Sequence, residues 1–429
     1  MWSRLLIFSI LISFVLYLLE VLVKENTMYL LGKTLLQRVQ MPLKNASMVL
    51  SKRWQPVKVN LKKLTTNVEK PMVSFPAEMP KHPKLVGFWL LSTAGMVSGA
   101  VIIGGLTRLT ESGLSMVEWN LIRDMRPPQS EEEWQKEFEK YQEFPEYKHK
   151  SDVEKMTLEQ FKRIYYYEFS HRMWGRAIGL WFLLPAAAFW ARGYLTKHLK
   201  TRVLVLGSLL LGQGAMGWYM VKSGLVENEN VPRVSPYRLS AHLGLALFLY
   251  VGCLWNGLTL VLPQVRIPET SRWLIKRTTH PLMLLIFTTA MSGAFVAGND
   301  AGLTYNSWPK MADRWIPTDI LAMEPKWKNF FENPTTVQFI HRRMGEITFC
   351  AIMGIYFATR RTPGLHNRAR MALNALVAMS VVQVGLGITT LLTYVPIHLA
   401  ATHQTGSVAL LSCALWFAHE TRRWKLPVK

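Results

Sequence analysis

Apolar residues in this chain fall into eight long runs separated by polar connectors, at residues 85–105, 169–191, 203–221, 239–262, 280–298, 339–359, 371–393 and 397–418. A helix of about 20 apolar residues crosses the hydrocarbon core of a bilayer. The pattern therefore predicts an all-α polytopic membrane protein with eight transmembrane helices. The connectors alternate in character. Arg192–Arg202, Arg266–Arg277, Arg360–Arg370 and the tail with Arg422, Arg423 and Lys425 are short and basic, and all fall on one side. Residues 106–168, 222–238, 299–338 and a tight turn near Pro396 fall on the other. The positive-inside rule puts the basic side, with both termini, on the inner face. The long connector 106–168 carries Glu131, Glu132, Glu133, Glu137 and Glu139, which predicts an amphipathic helix with a solvated acidic face outside the membrane.

The runs repeat. Ser98-Gly99-Ala100 in the first recurs as Ser292-Gly293-Ala294 in the fifth, and Ser112-Gly113-Leu114-Ser115 up to Trp119 recurs as Ala301-Gly302-Leu303-Thr304 up to Trp308. Phe169-Ser170-His171-Arg172 matches Phe339-Ile340-His341-Arg342, Gln213 and Gly217 match Gln383 and Gly387, and His242 matches His403. Corresponding spans are four apart, an even number, so both halves keep one orientation: two pseudo-symmetric four-helix bundles in a parallel repeat. The expected organisation is a leader over 1–80, a first half over 81–262, a basic linker over 263–279, a second half over 280–420 and a basic tail over 421–429.

Composition changes the picture in two places. The chain has 50 Lys and Arg against 28 Asp and Glu, net +22. Nucleic-acid binding is excluded because the cations cluster in the leader and the connectors, as membrane topology demands. Between Met28 and Val68 there is no acidic residue, while Lys33, Arg38, Lys44, Lys52, Arg53 and Lys58 recur among Ser, Thr and Leu. That is the composition of a mitochondrial presequence, with Met28 an alternative start, and it makes the inner face the matrix. A first membrane anchor over Leu5–Val23 is the rival reading. Cys253, Cys350 and Cys413 lie far apart inside apolar runs and lack metal-motif spacing.

Four histidines stand out chemically. His171, His242, His341 and His403 each sit a few residues into a span that runs from the outer side toward the matrix, so all four share one depth near the outer face. An ionisable group inside a span is costly and points to function. Two helices of a four-helix unit, each offering one imidazole at equal depth, can ligate a haem iron from both sides. Zinc requires four ligands, and each half supplies two histidines with no cysteine nearby. His171 is preceded by Glu168 one helical turn earlier, whereas His341 is preceded by Gln338. Two roles stay open for Glu168: capping the helix or neutralising Arg172, or carboxylate chemistry in the first half. Arg172, Arg342 and Arg343 follow the histidines as partners for haem propionates.

Taken together, Gly104-Gly105-Leu106-Thr107-Arg108-Leu109-Thr110-Glu111-Ser112-Gly113-Leu114-Ser115-Met116, Glu168-Phe169-Ser170-His171-Arg172-Met173-Trp174-Gly175-Arg176, Ala297-Gly298-Asn299-Asp300-Ala301-Gly302 through Trp308-Pro309-Lys310-Met311, and His403-Gln404-Thr405-Gly406 resemble the haem A synthase family over about residues 84–420. The resemblance implies a mitochondrial inner-membrane oxidoreductase of cytochrome c oxidase assembly. It would oxidise one ring methyl of haem O, by two oxygenations, to a gem-diol that loses water to leave the formyl group of haem A. It implies haem b as cofactor on His341 and His403, the haem O substrate on His171 and His242, and Glu168 as the catalytic carboxylate. It further implies electrons from a ferredoxin and its reductase, and haem O synthase as a neighbour in the pathway; a homo-oligomer stays open. Some bacterial members carry a cysteine pair in the first outer loop, and 106–168 has none. The alternatives are a b-type cytochrome electron carrier and a membrane haem carrier. A shared depth for all four ligands speaks against the first, and the lack of mid-bilayer coupling charges against the second.

Overall fold

The computed structural model describes residues 73–74, 78–120, 125–144, 146–148, 156–225, 234–265, 267 and 269–422. The expected presequence and nearly all of the basic tail lie outside these residues. Ten α-helices are described: α1 Pro83–Leu109, α2 Glu131–Gln142, α3 Leu158–Ala191, α4 Lys197–Gly224, α5 Pro236–Val261, α6 Glu269–Gly298, the single turn α7 Asn329–Glu332, α8 Pro334–Thr359, α9 Asn367–Leu392 and α10 Ile397–Glu420. Each of the eight expected runs falls within, or almost wholly within, one long helix. Three helices open on a proline in their first turn (Pro83, Pro236, Pro334), where a missing N–H costs nothing. The departures from all-α structure among the described residues are a short antiparallel pair, β1 (Val73–Ser74) with β2 (Gln264–Val265), and an isolated antiparallel bridge between Met311 and Arg314.

Two helices go beyond simple hydropathy. Helix α2 is the amphipathic segment expected in the first connector, capped by Ser130, whose side chain accepts from Glu133 N–H. Its Trp134, Phe138 and Tyr141 pack against Phe161 and Tyr165. That contact explains why α3 starts at Leu158 rather than at 169: its first turns are held by α2, and a capping box between Thr157 and Gln160 closes the end.

The long helices form two rings. In the first, α1 and α4 each touch both α3 and α5; in the second, α6 and α9 each touch both α8 and α10. The rings meet along α5 with α6 and α1 with α10. Large apolar side chains such as Leu184, Leu204, Leu211, Phe248, Leu284 and Phe357 point outward and are exposed. Such a belt suits lipid rather than water. Five helices are apolar and long enough to cross a membrane by length and composition: α1, α4, α5, the Arg277–Gly298 part of α6, and α9. The other three long helices carry His171, His341 and His403, and their polar residues lower the average.

Candidate functional site

Each of the four histidines lies on a glycine of a neighbouring helix that precedes it in the chain. A methyl group added at Gly104 of α1 would stand 2.9 Å from His171 Cε1, and one at Gly217 of α4 would stand 3.4 Å from His242 Cε1. In the second ring the distances are 3.2 Å from Gly293 of α6 to His341 Cε1 and 2.9 Å from Gly387 of α9 to His403 Cε1. At Gly104 and Gly387 only a residue without Cβ lets the imidazole rest this close to the helix backbone; at Gly293 a methyl would be tight, and at Gly217 it would make ordinary contact. Behind the partner rings, Gln213 Nε2 donates to the His242 carbonyl at 3.0 Å and Gln383 Nε2 to the His403 carbonyl at 2.9 Å.

The rings meet in the two pairs expected. His171 and His242 have centroids 6.4 Å apart with planes at 79°, and His341 and His403 have centroids 6.3 Å apart with planes at 88°. Two imidazoles on opposite sides of one iron, with metal–nitrogen bonds of about 2 Å and a ring radius of about 1.2 Å, would have centroids roughly 6.4 Å apart. All four rings are half-buried, and Nδ1 of His171, His242 and His403 is buried with no partner. Among the described residues no group of three or more His, Cys, Asp or Glu assembles as a metal site. The donor set and its spacing fit a planar group entered from two faces.

In this structure Glu168 and the arginines are held by contacts with one another, with the outer loops and with Glu346. Glu168 and Arg172 are both buried, at 4% and 6% exposure, and pair through Oε1 and Nε at 2.6 Å. The remaining Arg172 nitrogens donate to the Glu118 and Met116 carbonyls, each at 2.7 Å, and its guanidinium lies 4.5 Å over the Trp119 ring. Arg342 repeats this: it donates to Gln338 Oε1 at 3.1 Å, to the Ser307 carbonyl at 2.8 Å and to the Tyr305 carbonyl at 2.6 Å. Arg172 and Arg342 thus clamp the outer loops against α3 and α8. Arg343 pairs with Glu346 at 2.7 Å and lies over Phe339. These are the contacts of the three arginines expected at propionates. Of the two roles open for Glu168, the pairing with Arg172 is present in the structure, on the helix face that also carries His171.

The geometry also shifts the repeat's register. Gly104 and Gly293 hold equivalent rings, and Glu111 and Asp300 share a left-handed backbone at φ 49° and 51°. Both pairs keep the spacing that relates Ser112 to Ala301. The match of Ser98-Gly99-Ala100 to Ser292-Gly293-Ala294 was therefore displaced by more than one helical turn; Gly99 instead lies under the Trp174 indole. Two contributors were missed for this reason. One is Gly104 as the seat of His171. The other is Ser292, whose Oγ stands 2.8 Å from His341 Nδ1. An ungapped comparison of the two outer connectors, extended back into the helices, reveals both.

Comparison with known proteins sets this geometry in a lineage. The model of the cytochrome oxidase assembly protein family COX15-CtaA matches residues 87–415. Heme A synthase COX15 of Bos taurus is 56% identical over 355 residues, covering 82% of this chain and 85% of its own. The protein of the same name from Saccharomyces cerevisiae is 40% identical over 379 residues, covering 81% and 78%. Heme A synthase of the bacterium Nitrosospira multiformis is 44% identical over 345 residues, covering 79% and 94%. Spanning both histidine pairs and both clamped loops, the likeness makes this chain a member of the COX15-CtaA family of cytochrome oxidase assembly proteins.

Proposed function

We propose that this chain is a haem A synthase that oxidises a ring methyl of haem O to the formyl group of haem A. The observation that carries the reading is the pair of matched imidazole couples, His171 with His242 and His341 with His403, at the spacing a bis-histidine haem requires. His341 and His403 hold haem b as the resident cofactor, which supplies electron-transfer chemistry when bound. His171 and His242 receive haem O. Glu168 lies on the same helix face as His171 and serves the substrate side, whereas the matching residue of the other half is the neutral Gln338. Arg172 and Arg342 set the outer loops over the two pockets, and Arg343 is the arginine nearest to a propionate role.

Eight spans cross the mitochondrial inner membrane as two parallel four-helix halves, 81–262 and 280–420, joined by the basic linker 263–279, with both termini in the matrix. The recurrence of glycine seat, glutamine brace and arginine clamp in both rings supports the repeat. Methyl-to-formyl oxidation removes four electrons from the carbon. As two monooxygenations it consumes two O2, each also taking two electrons and two protons from outside, so that a ferredoxin with its reductase on the matrix side supplies four electrons in all and three waters leave. Haem O synthase provides the substrate.

Pigment extraction from the purified protein tests the reading: haem b together with some haem O or haem A is expected, and haem b alone would make the chain a plain cytochrome. In His403→Ala the resident haem is expected to be lost. His171→Ala is expected to keep it and make no haem A. Equal haem content in the two variants would overturn the division between halves.

A further inference from the structure

The two ring pairs differ in what stands behind the first imidazole. In the second ring, Ser292 Oγ lies 2.8 Å from His341 Nδ1 and 2.7 Å from the Thr289 carbonyl oxygen. A serine hydroxyl has one proton, and a carbonyl only accepts. The hydroxyl therefore donates to Thr289 and turns a lone pair toward the imidazole, so Nδ1 carries the ring proton. Nε2 is left as the nitrogen with a free lone pair, the atom a metal takes. In the first ring the position before the seat glycine is Ile103, as Ser292 is before Gly293. It has no hydroxyl, and His171 Nδ1 is buried without a partner.

We propose that Ser292 is the positioning residue that makes the second pair a permanent haem holder, and that Ile103 leaves His171 able to let its haem go. The proposal rests on the bis-histidine haem reading and adds to it a cause for the unequal lifetimes of the two haems. A ligating imidazole whose other nitrogen donates a hydrogen bond has a fixed tautomer, a fixed ring orientation and a more basic donor atom. Losing such a bond typically weakens metal affinity about 10–100-fold. A resident group needs that hold. A substrate that must leave as product is better served by a ring that pivots. Nδ1 of His242 and Nδ1 of His403 both lack a side-chain partner, so the hydroxyl support distinguishes His341 from His171.

The test uses the full-length protein purified with its haems and challenged with excess apomyoglobin as haem acceptor, following haem b loss by absorbance. Ser292→Ala is expected to lose haem b about 10–100-fold faster than the parent and to show a shifted haem b reduction potential. Ser292→Thr, which keeps the hydroxyl, is expected to restore both. Ile103→Ser is the converse variant: the amount of haem O or haem A that co-purifies is expected to rise several-fold, with haem b unchanged. Unaltered haem b loss and potential in Ser292→Ala would overturn the proposal. So would failure of threonine to rescue, which would make volume rather than the hydroxyl responsible. If Ser292→Ala does not accumulate, unchanged haem O and haem A retention in Ile103→Ser overturns it instead. Failure of the underlying haem reading has its own signature, since the His403→Ala protein would then keep its haem b in full.

Discussion

At the scale of single residues, Glu168 and Gln338 occupy equivalent places and differ by one charge. Each lies four positions before an arginine whose other nitrogens hold two loop carbonyls. Gln338 shows that an amide can accept from that arginine, so Glu168→Gln is expected to preserve the clamp and the fold. Weakening a buried charge-assisted bond costs roughly 1.5–3 kcal/mol. Haem b content in the purified variant is accordingly expected to match the parent, while haem A output falls at least tenfold. Undiminished output would remove the carboxylate from the chemistry. Helical periodicity was enough to put Glu168 on the face of both His171 and Arg172. It was silent on which of the two it pairs with, because the partners that settle the geometry of Arg172 are the backbone carbonyls of Met116 and Glu118. A carbonyl carries no residue identity, so a sequence has no mark for it.

The helices themselves were easier to read than their ends or their registers. Long apolar runs and helix-opening prolines mark α1, α5 and α8. The start of α3 was hidden because Phe161 and Tyr165 face α2, a contact between segments that hydropathy reads as a polar loop. The repeat's register slipped because Ser-Gly-Ala triplets recur in membrane helices for close packing, whereas the seat glycine is defined only by the imidazole above it. That seat makes a sharp prediction within one helix. In α9, Gly387→Ala puts a methyl 2.9 Å from His403 Cε1, whereas a methyl at Gly385 meets nothing within 4 Å. Gly387→Ala is expected to lower haem b occupancy severalfold and Gly385→Ala to leave it unchanged, both read from the absorbance ratio of haem to protein. Parallel loss in both variants would mean that the helix, not the ring, is sensitive.

Over the whole molecule, the two rings are tied by specific contacts as well as by apolar packing. Gln404, next to His403 on α10, donates to the Val101 carbonyl of α1 at 2.7 Å, and its amide fills the space over Gly105, the neighbour of the His171 seat. Arg108 at the end of α1 pairs with Asp300 beyond α6 at 2.9 Å. Neither half is therefore a finished surface without the other. The three helices whose polarity keeps them below the apolar standard for a span, those of His171, His341 and His403, bring a consequence for biogenesis. An arginine costs an inserting helix on the order of 2.5–3.5 kcal/mol at its centre and less toward its ends, and α8 carries Arg342 and Arg343 in adjacent positions in its outer half. Such helices enter lipid at a disadvantage until apolar neighbours and a haem cover their polar faces. With haem bound as proposed, the newly made chain is expected to pass through an interval as an unfinished client of the insertion and quality-control machinery, its length set by haem supply. Pulse-chase labelling in haem-starved cells is expected to show severalfold faster turnover of this protein than in haem-replete cells, with mature copies made before starvation spared.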